Sequence, residues 1–227
     1  LRKTTKFSAM RTFSKIHEFF LQKGFTPFAF QQEAWECCER REEFLIQCPT
    51  GSGKTLAATG WMLNRLLSDE GLKGLRLLYI TPLRAMTRDI EAALAEPLNG
   101  TSHRVVARNS DTSAKDRASI LKNPPQILMT TPESLSVLLA STRALMLFNN
   151  LELVVVDEWH ELLGSKRGTQ TQLCLARLRL ISAQLRTIGV SATVENPAFA
   201  VRCLLSRDAK SKIISANLKR EIRLQII

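Results

Sequence analysis

Leu153-Val-Val-Val156 runs without a polar break and ends in Asp157-Glu158. A strand with one wet face alternates apolar and polar side chains. A strand without that alternation must lie in a sheet covered on both sides. Similar apolar stretches occur near 44–48, 75–80, 104–107, 126–130 and 186–190, with helical patterns between them near 54–68, 84–96, 113–121, 132–140 and 169–184. This alternation predicts an α/β fold: an open, mostly parallel, doubly wound sheet with helices on both faces. Two more helices are predicted ahead of it, over 8–22, with Met10, Phe13, Ile16 and Phe20 forming a core-facing stripe, and over 30–41. At 227 residues and 44% hydrophobic, the chain suits one domain with a sizeable core.

Right-handed crossovers bring the C-terminal ends of parallel strands to one edge, where ligands bind in such sheets. Two chemistry-bearing segments fall there. Cys48-Pro-Thr-Gly-Ser-Gly-Lys-Thr55 follows a predicted strand and opens a predicted helix. Thr50, Gly51, Ser52 and Gly53 form a turn whose backbone N–H groups would surround phosphate oxygens, with Lys54 reaching the β and γ phosphates and the Thr55 hydroxyl on Mg²⁺. The helix adds its positive N-terminal end. Cys48 stands where the full phosphate-loop pattern has glycine. The second segment is Asp157-Glu158, in which Asp157 would hold the metal and Glu158 would orient the attacking water. A glycine-rich turn before an ordinary helix, and an Asp acting as helix cap, are the plain readings of each segment alone. The pair, about a hundred residues apart, points to a site for a nucleoside triphosphate with Mg²⁺. His160-Glu161 begins a zinc-protease pattern, but Gly164 fills the second histidine position and excludes it.

Thr81-Pro82, with Arg84, and Thr131-Pro132 both follow predicted strands. Their hydroxyls and helix-start amides suit phosphate oxygens, and Arg84 adds a cation. Ordinary N-capping is the alternative for each threonine. Glu133 does not suit phosphate and is expected to cap its helix or pair with an arginine.

Taken in order, these segments resemble a superfamily 2 nucleic-acid helicase of the DEXH-box kind over residues 24–207. Gly24-Phe-Thr-Pro-Phe-Ala-Phe-Gln31 is similar to the Q motif, which implies that Gln31, rather than Gln32, reads adenine; Phe25 either stacks on that base or fills the core. Thr81-Pro-Leu-Arg84 and Thr130-Thr-Pro-Glu-Ser134 resemble the family's two backbone-gripping motifs. Ser191-Ala-Thr193 resembles the motif that couples hydrolysis to strand movement, with His160 as its link to the hydrolysis site. Asp157-Glu-Trp-His-Glu-Leu-Leu-Gly-Ser-Lys-Arg-Gly168 is similar to the ligase-associated DNA helicases, relatives of the large helicase-related (Lhr) proteins. The resemblance implies a RecA-like first motor domain of an ATP-dependent DNA helicase or translocase. Its implied partners are single-stranded or partly duplex DNA, a second RecA-like domain, an ATP-dependent DNA ligase and a nuclease, in DNA repair. An RNA-remodelling ATPase and a nucleotide-gated binding module without turnover are the rival readings.

The net charge of +11 is unevenly placed. Residues 1–23 carry six Lys/Arg against one Glu, residues 201–227 carry seven against two acids, and the stretch between nets only +1. Strand binding therefore falls to the motifs, while the ends add salt-dependent, sequence-blind affinity or only solubility. The expected organisation is a basic arm and amphipathic helix over 1–23, the motor domain over 24–207, and over 208–227 a linker or first strand towards a second RecA-like domain. Lys219–Ile227, partly alternating, is the candidate for that strand. Five cysteines without a CxxC pair, no apolar run near ~20 residues and no signal-peptide pattern fit a reduced, cytoplasmic protein with no membrane span.

Overall fold

The computed structural model describes residues 13–82, 87–192, 194–205 and 212–216. Seven strands form one sheet: β1 (Phe44–Gln47), β2 (Leu77–Ile80), β3 (Val105–Arg108), β4 (Ile127–Thr130), β5 (Leu153–Val156), β6 (Arg186–Ser191) and β7 (Lys212–Ser215). Their order is β3-β4-β2-β5-β6-β1-β7, and every pairing is parallel. The expected doubly wound architecture is therefore what the chain adopts.

Successive strand residues point to opposite faces, and here each face has its own core. Phe44, Ile46, Leu77, Tyr79, Leu153 and Val155 pack with α1 (Ser14–Gln22), α2 (Ala29–Glu39), α3 (Lys54–Ser68) and α4 (Thr87–Ala95). Leu45, Leu78, Ile80, Val154 and Val156 face α5 (Ala114–Lys122), α6 (Pro132–Ala140), α7 (Ala144–Phe148), α8 (Trp159–Leu162), α9 (Lys166–Ile181) and α10 (Pro197–Leu204). In α1, Ile16 and Phe20 are buried as its stripe predicts, and Met10 lies outside the described residues.

Three helices, α7, α8 and α10, have no counterpart in the sequence reading. They span five, four and eight residues, too short for a helical period to stand out. Within the 208–227 span, residues 212–215 join this sheet as an edge strand on β1; Lys219–Ile227 lies outside the described residues. All five cysteines are free. No helix among the described residues is long and apolar enough to cross a membrane.

The corner between α8 and α9 is unusually tight. The Ser165 hydroxyl caps α9 by accepting from the Gly168 amide at 3.1 Å. A Cβ on Gly168 would lie 2.0 Å from the Leu162 carbonyl oxygen, a backbone atom with no rotamer to move into. Gly168→Ala should lower stability by roughly 1–3 kcal/mol, seen as a fall of several degrees in Tm by circular dichroism. An unchanged Tm would mean the corner opens freely.

Candidate nucleotide site and nucleic-acid edge

The phosphate-type loop leaves β1 and turns twice through left-handed backbone, at Gly51 (φ 70) and Gly53 (φ 81), where a side chain would be strained. Cys48 is not among the left-handed residues, so its position makes no such demand for glycine. The Ser52 hydroxyl donates to the Pro49 carbonyl at 2.7 Å and closes the turn. Thr50, Gly51 and Gly53 are exposed, Ser52 and Lys54 are buried, and Thr55 lies between.

Gln31 splints this loop from behind. Its amide Nε2 donates to the Gly53 carbonyl at 3.0 Å, and its Oε1 accepts from the Phe28 backbone N–H at 2.8 Å. Both ends of the amide that would read adenine are thus engaged within the protein. Phe25, offered by the sequence as base platform or core, is 66% exposed and belongs to the surface.

β5 lies two strands from β1, with β6 between them, and its end meets the loop. Lys54 Nζ donates to Glu158 Oε1 at 2.8 Å across 104 residues of sequence, and both side chains are buried. Glu158 holds this position at a cost: its backbone is left-handed (φ 46, ψ 45), rare for a residue with a Cβ and worth about 1–3 kcal/mol of strain. Such strain clusters where function over-determines geometry.

Asp157 is held by two donors. Its Oδ1 accepts from the Glu158 N–H at 2.9 Å, and its Oδ2 accepts from the Tyr79 hydroxyl at 2.7 Å. Burial, aided by the neighbouring Glu158 charge, pushes the Asp157 carboxyl above its usual range; the Tyr79 hydrogen bond works against this. Burial and then the Asp157 charge push the Tyr79 phenol well up, so it stays a protonated donor. The Thr55 side chain acts on the phenol in the opposite sense, so Tyr79 neighbours both residues expected to hold metal. Nothing in the sequence around the chain's single tyrosine marks this role.

Magnesium takes hard oxygen donors, usually one or two side chains beside phosphate oxygens and waters. Asp157 and Thr55 fit that need. Among the described residues no group of three or more His, Cys, Asp or Glu side chains forms a closed cage.

Of the expected coupling residues, His160 is placed to connect. Its Nδ1 accepts from the Ala192 backbone N–H at 3.3 Å and lies 3.4 Å from Glu158 Oε2. The contact to the following segment thus runs through backbone. The Ser191 hydroxyl is fully buried without a hydrogen-bond partner, and Thr193 lies outside the described residues.

The proposed backbone-gripping residues are more sheltered than their motif suggests. Thr81 and Thr131 are 1% and 5% exposed, and Pro82 and Pro132 are buried. Thr131 caps α6, accepting from the Ser134 N–H at 3.4 Å, with Pro132 in the first turn. Arg84 lies outside the described residues. Arg167, quoted in the 157–168 segment but given no role of its own there, ties the two motifs together. It donates through Nε and Nη2 to Glu133 at 2.5 and 3.2 Å, and through Nη2 to the Pro82 carbonyl at 3.1 Å. Partial desolvation pushes the half-exposed Glu133 carboxyl upward, yet Arg167 and backbone hydrogen bonding hold it below the usual range.

The chain is similar in sequence and in fold to known proteins. The family model described as DEAD/DEAH box helicase matches residues 28–200. The chain is 36% identical, over 92% of its length, to the Lhr helicase/uracil glycosylase of Escherichia coli K12, and spans 15% of that protein. It is 35% identical, over 93% of its length, to the ATP-dependent helicase Lhr-Core of Methanocaldococcus jannaschii, spanning 27% of it. The Mycobacterium smegmatis helicase Lhr, solved bound to ssDNA and AMP-PNP, aligns with a TM-score of 0.80 at 34% identity, over 88% of this chain and 27% of that one. The helicase MrfA bound to DNA aligns at 0.77 and 26% identity, over 89% and 29%. With a matched model across most of its length and these relatives, the chain belongs to the DEAD/DEAH box helicases, and its fold is the RecA-like motor domain of the Lhr type.

Proposed function

We propose that this chain is the first motor domain of an ATP-dependent DNA helicase or translocase. It would bind Mg-ATP on the loop edge and pass single-stranded DNA across the ends of β2 and β4. The Lys54–Glu158 pair carries the reading, because it unites the phosphate-type loop with the acidic strand end at hydrogen-bond distance. The relatives solved with ssDNA or DNA favour a DNA substrate. The extension to DNA repair beside an ATP-dependent ligase and a nuclease rests on the resemblance of residues 157–168 alone.

In this reading Lys54 exchanges its buried carboxylate partner for phosphate oxygens, which frees Glu158 to orient water. Asp157 and Thr55 would hold Mg²⁺, which would supply charge neutralisation to the phosphates. Gln31 would give up its internal bonds to read adenine, with Gly51, Ser52 and Gly53 lining the phosphates and Thr50 at the mouth of the turn. His160 carries changes at Glu158 to the Ser191–Thr193 segment. The strand would pass over the loops that carry Thr81, Pro82, Arg84, Thr131 and Pro132, whose threonine and proline side chains are themselves sheltered. Catalysis of this kind is positioning and charge stabilisation, and an arginine finger from a second RecA-like domain would add about 10³–10⁵ in rate.

ATP hydrolysis by this chain, with and without single-stranded DNA, should be slow, little stimulated by DNA, and at least about 10²-fold lower in Lys54→Ala. Fast, DNA-stimulated turnover would show that the domain completes its own site. Competition between matched DNA and RNA oligonucleotides should favour DNA; an RNA preference would replace the substrate assigned above. Tyr79→Phe should weaken the Mg²⁺ dependence of nucleotide binding roughly 10-fold while leaving binding in EDTA intact, as for other lost supports of a metal ligand. An unaltered Mg²⁺ titration would mean the Glu158 amide alone positions Asp157.

A further inference from the structure

The rim opposite the nucleotide loop, where the strands begin, holds a cavity of about 650 Å³. Arg76 and Glu152, just ahead of β2 and β5, and Arg186, the first residue of β6, meet the last two turns of α3 there. Trp61 on α3 organises the wall. Its indole N–H donates to Glu39 Oε2 at 2.6 Å, and two guanidinium groups lie against its ring, Arg186 at 4.3 Å and Arg65 at 5.1 Å. Burial lowers the proton affinity of Arg186, and the nearby Arg41 and Arg65 charges add to that effect while Glu152 opposes it.

The acids of this wall are already committed. Glu152 gives one oxygen to Arg65 and the other to Arg76, the latter at 2.9 Å. Glu39 is engaged by Trp61, and Asp69 Oδ1 accepts from the Gly71 N–H at 2.9 Å. Four arginines thus share three carboxylates, and Arg41 is the cation left over. Its side chain is exposed and lines the cavity, and among the described residues no carboxylate pairs with it. Its backbone is left-handed (φ 61), two residues past the end of α2, a position that glycine ordinarily fills. No contact within the described fold accounts for an arginine there.

The chemistry of the wall selects a carboxylate. Glu152 is itself a carboxylate gripped by two of these arginines, and the planar guanidinium fork matches that group. Glu39 and Asp69, both exposed, would repel a run of phosphates yet let a single carboxylate reach Arg41. The volume is that of a ligand site, roughly 300–1,000 Å³, and far exceeds one carboxyl group. Phe13 and Leu72 add apolar wall, which suits the side chains of a peptide.

We propose that this cavity docks an acidic peptide segment of a protein partner, with Arg41 clamping one of its carboxylates. The site is independent of the nucleotide and strand readings, since it lies on the opposite rim.

The test is anisotropy of a labelled hexapeptide of alternating Glu and Ala with the full chain, beside its Gln-Ala counterpart. Wild type, Arg41→Gln, Arg41→Gly and Lys115→Gln are compared, and Tm is measured for each. Lys115 is an exposed cation on α5 outside the cavity, so Lys115→Gln matches the loss of charge. The Gln-Ala peptide should bind at least about tenfold more weakly than the Glu-Ala peptide. Both Arg41 variants should weaken the Glu-Ala peptide roughly tenfold, and Lys115→Gln by less than about twofold. The Tm of Arg41→Gly should equal or exceed that of wild type, because glycine suits the left-handed backbone. A lower Tm would make Arg41 a residue of the fold and overturn the site. Equal losses in Arg41→Gln and Lys115→Gln would reduce binding to net-charge attraction and overturn it too, as would a wild-type chain that binds neither peptide. Free glutarate binding as tightly as the peptide would replace the partner with a small dicarboxylate. Arg41-dependent binding of oligo-dT would replace it with nucleic acid.

Discussion

A strand that is apolar on both sides has to be roofed twice, and this requirement organises the whole molecule. Leu153–Val156 presents Leu153 and Val155 to one helical layer and Val154 and Val156 to the other. Parallel neighbours satisfy its backbone, and parallel neighbours require crossovers, which become the two layers. With every strand pointing the same way, polar residues that end strands gather on one rim. The meeting of Lys54 with Glu158 is thus a product of topology: β1 and β5 are remote in sequence and held one strand apart in space.

On that rim the supporting contacts are as specific as the motif residues. Tyr79 on β2 reaches Asp157 at the end of β5, Gln31 reaches Gly53, and Arg167 reaches both Pro82 and Glu133. Each spans different elements, so a shift in one loop is felt by its neighbours. The corner at Gly168 fixes the start of α9 and with it Arg167.

What was legible in the sequence and what was not divides along a physical line. β1–β6 announced themselves because an unbroken apolar run has few other uses, and the phosphate-type loop because two left-handed glycines before Lys-Thr have a restricted geometry. Glu133 was expected to cap its helix or find an arginine, and it pairs with Arg167. The contacts of Tyr79 and Arg167 were invisible. Their partners lie 78 residues away for Tyr79 and 34 and 85 for Arg167, and so leave no trace in local pattern. Thr131 shows the reverse: the sequence allowed both a cap and a phosphate ligand, and its hydroxyl caps α6.

The left-handed backbone at Glu158 restricts what substitution can do there. Glycine, asparagine or aspartate would relax φ 46 more readily than glutamate does. Aspartate alone among these keeps a carboxylate, but its side chain is one methylene short of the 2.8 Å contact with Lys54. The residue that suits the backbone is too short for the charge, and the residue long enough for the charge strains the backbone. The position has no conservative replacement, and a chain drifting through single substitutions is held at glutamate by two opposed demands.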